Sequence, residues 1–303
     1  ELHSFPTRRS SDLFELFGRD QEAKFGVSSA MSEETDWYNP TDFSGPAFGF
    51  LPSFPYAGNA IPEPIWGART VYTTLNQRLK LMFGVTRVSL TERLKAIVGA
   101  NWAQYHVDGN DNTGAHTNQT VHNLSPYVGL TYDFTDNVLG YVNYSYIFQP
   151  QEQLNYDRSY IASSKGVNGE VGIKAQWLDK RLLTTLAWFD AKQKGLATYD
   201  GTRFLDGYAF GYYSGVDVQS KGFQFEATGK LNQYTDLQFG YTQLKMDGEN
   251  GSHTYSWVPR RTSNLMLSAH LPSYTALSFG LGGRYQSEIS NTDPYTGYPL
   301  HQG

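Results

Sequence analysis

Cysteine is absent from the 303 residues. That removes a disulfide framework, a thiolate metal centre and a cysteine nucleophile, and it fits passage through an oxidising periplasm. Charged residues are scarce, at 17%, and the formal net charge is −5. There is no basic patch of the kind nucleic acid requires, so nucleic acid is not an expected partner. No apolar run approaches the eighteen or so residues of a transmembrane helix, which leaves open a β-barrel, whose strands are apolar only at every second position. GxSxG, HExxH and P-loop patterns are all missing, and the expectation is a non-enzyme.

Aromatics and glycine are abundant instead: 22 Tyr, 18 Phe, 6 Trp and 30 Gly. They are arranged with period two. In the stretch from Gly166 to Lys194, Val171, Ile173, Ala175 and Trp177 fall on one face, opposite Glu170, Gly172, Lys174 and Gln176. Leu182, Thr184, Leu186 and Trp188 share a face of the run that follows. Alternation of this kind is the mark of a strand with one apolar face, and Asp179-Lys180 between the runs has the length of a tight hairpin turn. Aromatics at the ends of the apolar face suit contact with lipid.

The same pattern recurs along the chain. Alternating strands are predicted near residues 18–36, 69–90, 94–105, 125–134, 138–148, 223–231, 237–241, 264–271 and 277–285, giving about eleven strands with the opening hairpin. Short turns near residues 92, 136, 180, 234 and 273 alternate with long segments at about 37–67, 108–123, 149–165, 199–215 and 247–259. A propeller or solenoid would also recur, but would not set every short turn against a long loop on the opposite side. An outer-membrane barrel does so by construction. About ten residues at about 3.3 Å each, tilted by about 45°, climb roughly 23 Å, close to the apolar height of such barrels. The fold class expected is all-β: an antiparallel transmembrane β-barrel.

The leader ELHSFPTRRSSDLF, residues 1–14, fits no strand or helix pattern, and SFPTRRSSDL resembles translated sequencing-adapter read-through. It is set apart as a non-native leader, with residues 15–303 read as a partial barrel cut at both ends.

Several segments, in order, resemble the TonB-dependent siderophore receptors. They are SLTERLKAIVGANW, SPYVGLTYDFTDNVLGYVNYSYIFQPQ, GEVGIKAQWLDKRLLTTLAWFDAKQKGLA, SKGFQFEATGKL and LQFGYTQLK, covering most of Gly67 to Ser287. The ferric-hydroxamate, coprogen and pyoverdine-type receptors are the nearest in character. Gly195 stands where the family usually has Asn, and Asn101 where it usually has Arg. The resemblance implies part of a 22-stranded barrel of the Gram-negative outer membrane, with the N-terminal plug and its TonB box outside this chain. It implies TonB-energised uptake of a ferric siderophore as cargo, with outer-membrane lipid around the wall and no intrinsic cofactor. Alternatives are a receptor of the same build for haem, cobalamin or an oligosaccharide, a passive porin-like channel, or a soluble carbohydrate-binding β protein.

A ferric siderophore arrives with its iron already coordinated, so its receptor needs aromatic and hydrogen-bonding walls rather than metal ligands. Trp37, Tyr38, Tyr56 and Trp66, in a segment carrying six prolines from Pro40 to Pro64, are candidates, as are Tyr199, Tyr208, Tyr212 and Tyr213. Arg158 and Arg203 suit anionic chelate groups. The plainer assignment for any one aromatic is loop packing or the interfacial girdle. Glu170, Lys174, Glu226, Lys230 and Arg284 are expected on the luminal wall. His106, His116 and His122 lie in or beside one loop at spacings that do not suggest a metal site, and Asp108, Asn110 and Asp111 lack the closing Glu of an EF-hand.

Overall fold

The computed structural model describes residues 3–4, 8–16, 18–42, 65–110, 116–205, 208–249, 255–292 and 299–302. It opens with β1 (His3–Ser4), β2 (Arg8–Leu16), β3 (Arg19–Tyr38), β4 (Thr41–Asp42) and β5 (Ile65–Trp66). Next come β6 (Thr70–Ser89), β7 (Leu94–Asn110), β8 (His116–Thr135), β9 (Val138–Gln149) and β10 (Ser164–Trp177). The series continues with β11 (Leu182–Leu205), β12 (Tyr208–Lys230), β13 (Thr235–Asp247), β14 (Arg261–Leu271) and β15 (Tyr274–Gln286). It ends with β16 (Ile289–Thr292) and β17 (Pro299–Gln302).

The strands β3 and β6 to β15 are the eleven expected, and they lie side by side in chain order in one sheet. Each pair of neighbours for which register is given runs antiparallel. On the other side of β3, β2 pairs Arg8 with Val27 and Leu16 with Arg19, and β1 pairs His3 with Met31. By contact density the chain divides into two units. The first holds Glu1–Pro6, Ser28–Lys80 and Gln104–Val121; the second holds Thr7–Val27, Leu81–Ala103 and His122–Gly303.

Register in the second unit follows the apolar alternation, because a one-residue slip would turn every side chain to the wrong face. Val171 opposes Trp188, Ile173 opposes Leu186, and Trp177 opposes Leu182. On the other side of β10, Val171 opposes Val142. This face is apolar yet open: Ile173 is 49% exposed and Trp188 49%. It extends through Val128, Leu130 and Tyr132 on β8 to Phe279, Leu281 and Tyr285 on β15, all exposed. The opposite face is polar. There Tyr141 donates to Glu170 Oε1 at 2.6 Å, Lys174 Nζ lies 5.3 Å from the Tyr141 ring centroid, and Lys95 Nζ pairs with Asp133 at 2.7 Å. Among the described residues few apolar side chains are buried, Val107, Ile161 and Val218 being three of them. In this unit the sheet leaves its apolar face exposed.

Short connections sit at one end of the strands, and the long segments lie at the other. Thr91 Oγ1 caps one turn by accepting the Leu94 N–H at 2.8 Å, and Asn232 Oδ1 accepts the Tyr234 N–H at 2.8 Å in another. The turn at 180 is wider than the sequence spacing suggests. Strand pairing closes at Trp177–Leu182, leaving four residues, of which Leu178, Asp179 and Lys180 all have positive φ (54°, 57° and 66°). Arg181 steadies it, donating through Nε to the Leu178 carbonyl at 2.8 Å. The segment 199–215, expected as a loop, is instead a continuation of β11 and β12, paired from Leu196–Val216 out to Leu205–Tyr208. Its alternation is masked by glycines and by a register shift between Gln193 and Leu196. Gly195 sits in that shift with φ of 69°, a left-handed position that glycine and asparagine both accept.

Candidate ligand-binding site at the loop end

The long β11–β12 hairpin projects beyond the neighbouring strands, and the connection between β9 and β10 folds against it. That connection needs an anchor, since a loop on a sheet carries backbone polar groups that must be satisfied. Gln151 provides it. Its side chain is buried; Nε2 donates to the carbonyls of Ala162 and Gly195, each at 2.8 Å, and Oε1 accepts the Ala197 N–H at 2.6 Å. Ser164 Oγ adds a bond to the Lys194 carbonyl at 2.9 Å, and the Tyr213 N–H reaches the Leu154 carbonyl at 2.9 Å.

Between loop and hairpin lies a cavity of about 460 Å³. Tyr156, Tyr160, Tyr212, Tyr213 and Asp200 are among its lining residues. Arg203 reaches across from the hairpin: Nη1 donates to the Tyr156 carbonyl at 2.7 Å and the guanidinium sits 4.4 Å from the Tyr156 ring centroid. Tyr156 meets Tyr212 edge-on at 5.1 Å, and Tyr199 meets Tyr213 at 5.9 Å. Arg158 lies 5.7 Å from the Phe210 ring, with φ of 68°. Tyr255, tilted against Trp257 with ring centroids 4.8 Å apart, shares a 2.8 Å hydrogen bond with Thr198. The arrangement offers π-faces and phenolic hydroxyls beside a fixed positive charge.

The lip of the loop is held by a tight polar turn. Asn155 Oδ1 accepts the N–H groups of Asp157 and Ser159, and Asp157 Oδ1 accepts the Ser159 N–H, all at 3.1 Å. Hydrogen bonds from Ser159 hold the Asp157 carboxyl below the usual carboxylate range.

Of the residues singled out from sequence, Tyr212 and Tyr213 line the cavity, Tyr199 and Arg203 touch its lining residues Tyr213 and Tyr156, and Arg158, on the same loop as Tyr156, lies against Phe210. Tyr208 is on β12, opposite Leu205 at the hairpin tip. Trp37, Tyr38 and Trp66 belong to the first unit: Arg69 lies 4.6 Å from the Trp37 ring, Tyr38 meets Tyr72 edge-on at 5.5 Å, and Trp66 pairs with Thr41 across β4 and β5. Tyr56 lies outside the described residues, as does Asp111. In the first unit His116 Nε2 is 3.0 Å from Asp108 Oδ1 and His106 Nδ1 is 2.9 Å from Thr120 Oγ1; in the second, His122 stacks on Trp102. Sequence reasoning missed Tyr156, Tyr160, Tyr255, Trp257 and Gln151. The aromatics carried the same signal as their neighbours, whereas nothing in the order of residues distinguishes Gln151 from any other glutamine in a polar loop.

A family described as TonB dependent receptor-like, beta-barrel, matches residues 3–301. The chain belongs to that family. As a TonB-dependent receptor barrel it resides in the Gram-negative outer membrane, so its short turns are periplasmic, its long loops extracellular and its apolar face is in lipid. The ferripyoverdine receptor of Pseudomonas aeruginosa is 28% identical over 286 residues, covering 91% of this chain and 34% of that protein. The ferrioxamine B receptor of Salmonella typhimurium is 24% identical over 255 residues, covering 78% and 36%. A crystal structure of the P. aeruginosa ferripyoverdine receptor bound to ferripyoverdine superposes with a TM-score of 0.73 at 25% identity, over 96% of this chain and 39% of that one. The chain thus spans about a third of the length of the curated relatives it matches.

Proposed function

We propose that this chain is part of the barrel of a receptor that takes up ferric siderophores across the outer membrane, with energy delivered by the TonB complex through the plug. The observation that carries the reading is the tyrosine-lined cavity of about 460 Å³, with Arg203 held against its lining residue Tyr156. Its volume falls within the range of small-molecule sites. A chelate whose iron is already coordinated is recognised through its organic periphery. Tyrosine faces pack against aromatic or hydroxamate groups, hydroxyls hydrogen-bond to them, and the guanidinium pairs with negative charge. Relatives named for ferripyoverdine and ferrioxamine B support a siderophore as the cargo class. Arg158, Tyr199, Arg203, Tyr212 and Tyr213 are the proposed cargo contacts in the second unit; Trp37, Tyr38 and Trp66 are the candidates in the first. The role is transport, with no bond made or broken in the cargo and no intrinsic cofactor.

Growth of an iron-starved host that makes no siderophore of its own, expressing the full-length gene, tests this. Rescue by added ferric pyoverdine or ferric hydroxamate is expected. Failure with every iron chelate, alongside correct outer-membrane insertion, overturns it.

A further inference from the structure

The cavity between the β9–β10 connection and the β11–β12 hairpin has a charge character of its own. Among the described residues that line it, Asp200 alone carries a formal charge, beside Tyr156, Tyr160, Tyr212 and Tyr213. A bulge puts it there. The pairing of β11 with β12 passes from Tyr199–Tyr213 to Gly201–Tyr212, so Asp200 is the extra residue, left out of the ladder. Bulges re-aim a side chain away from the direction that strict alternation would give it. Gly201, the next residue, makes room for Tyr212: a Cβ there would meet the Tyr212 hydroxyl at 2.7 Å. One short stretch of hairpin supplies both a carboxylate and the ring beside it.

The cations nearby are engaged elsewhere. Among the described residues, no ion pair or hydrogen bond holds the Asp200 carboxylate. Arg203 is outside the lining and is committed to Tyr156, through its carbonyl at 2.7 Å and its ring at 4.4 Å. Arg158 lies 5.7 Å from the Phe210 ring. Asp157, the carboxylate on the lip, accepts the Ser159 N–H at 3.1 Å and does not line the cavity. Both arginines rest on aromatic rings, whose negative π-faces draw cations. A carboxylate among tyrosines, with no cation in the lining, is complementary to a positive guest.

We propose, resting on the siderophore reading above, that the cavity takes a cationic arm of the cargo, an ammonium or guanidinium group on the periphery of the ferric chelate. The arm enters among the tyrosines and pairs with Asp200. Anionic parts of the same chelate are left for Arg203, outside the lining. The cargo is thereby narrowed to chelates that carry a positive group. Asp200 is exposed, so water and salt screen the pair. Its contribution is a several-fold selectivity between cargoes, not the bulk of the affinity.

Full-length receptor in mild detergent, titrated with two ferric trihydroxamates, provides the measurement. One chelate ends in a primary ammonium, and the other is its N-acetyl derivative; quenching of intrinsic fluorescence reads both affinities. Wild type should bind the ammonium form about fivefold more tightly. In Asp200→Asn that ratio should fall to about one, and in Asp200→Glu it should persist. Raising salt to about 1 M should shrink the ratio in wild type. Heat-modifiable migration in gels checks that each variant is folded. Equal affinities in wild type, or a preference that survives in Asp200→Asn, would overturn the assignment and leave the siderophore reading standing. Binding of neither chelate also overturns it, and the siderophore reading falls with it only if growth rescue fails as well.

Discussion

The ring of Tyr141 occupies the space that a side chain on Gly172 would fill. The two residues are directly opposite across β9 and β10, and an added Cβ would lie 2.6 Å from the ring. Glycine in a strand interior is a weakness unless another group covers it. Here the cover also places the Tyr141 hydroxyl 2.6 Å from Glu170. Gly172→Ala should therefore displace the ring, break that hydrogen bond and destabilise the barrel by about 1–3 kcal/mol. Gly280→Ala, where nothing lies within 4 Å, should be near neutral. Urea titration of the full-length protein refolded into lipid distinguishes the two.

Ile173 is placed between Leu186 and Gly140 on the lipid-facing side. Near the bilayer midplane Ile173→Arg should cost about 2–4 kcal/mol, while Lys174→Arg, one residue on and facing the lumen, should cost little. The same unfolding measurement in lipid gives both values, and a neutral Ile173→Arg would mean that the faces are reversed.

Gln151 satisfies three backbone groups, the carbonyls of Ala162 and Gly195 and the Ala197 N–H. Gln151→Ala should leave buried donors and acceptors unmatched at a local cost of about 1–3 kcal/mol. The loss should be confined to the loop end. Hydrogen exchange should rise at Ala197 and along residues 152–163 while the strands near the periplasmic turns keep their protection.

Arg203→Ala should weaken binding of an anionic ferric siderophore by about tenfold or more, consistent with loss of one charge-assisted contact of about 1.5–3 kcal/mol. Arg203→Lys keeps the charge but not the stacking on Tyr156, and should fall in between. Quenching of intrinsic fluorescence by the ferric chelate reads the affinities. Unchanged affinity in Arg203→Ala would remove this residue from the site.

The Asp157 carboxyl is held below its ordinary value by the Ser159 hydrogen bonds. A carboxyl with a depressed folded pKa supports the fold above its unfolded value of 3.8, and that support is lost as pH falls through the folded value. Order in the turn at 155–159 should thus be constant from neutrality down to about pH 4 and fall below it. Asp157→Asn should remove the step from a proteolysis or exchange profile of this loop.

Much of this wall is legible in the amino-acid order because a strand reports its environment every second residue. Val171, Ile173, Leu186 and Trp188 alternate with Gly172, Lys174, Thr185 and Ala187, and register follows once one face must meet lipid. The turn/loop alternation and the eleven strands come from the same signal. The extended hairpin at 199–215 was hidden because glycines and a bulge at Gly195 interrupt the alternation while backbone hydrogen bonding carries on. The site lay further out of reach. Tyr156 and Arg203 are 47 residues apart, as are few pairs that a local pattern could join, and Gln151 bonds to Gly195 and Ala197 from a separate connection. Local periodicity determined the wall, since each strand responds to lipid on its own. Only the tertiary structure decided the cavity, because it arises where side chains from a loop and a hairpin distant in sequence are brought together.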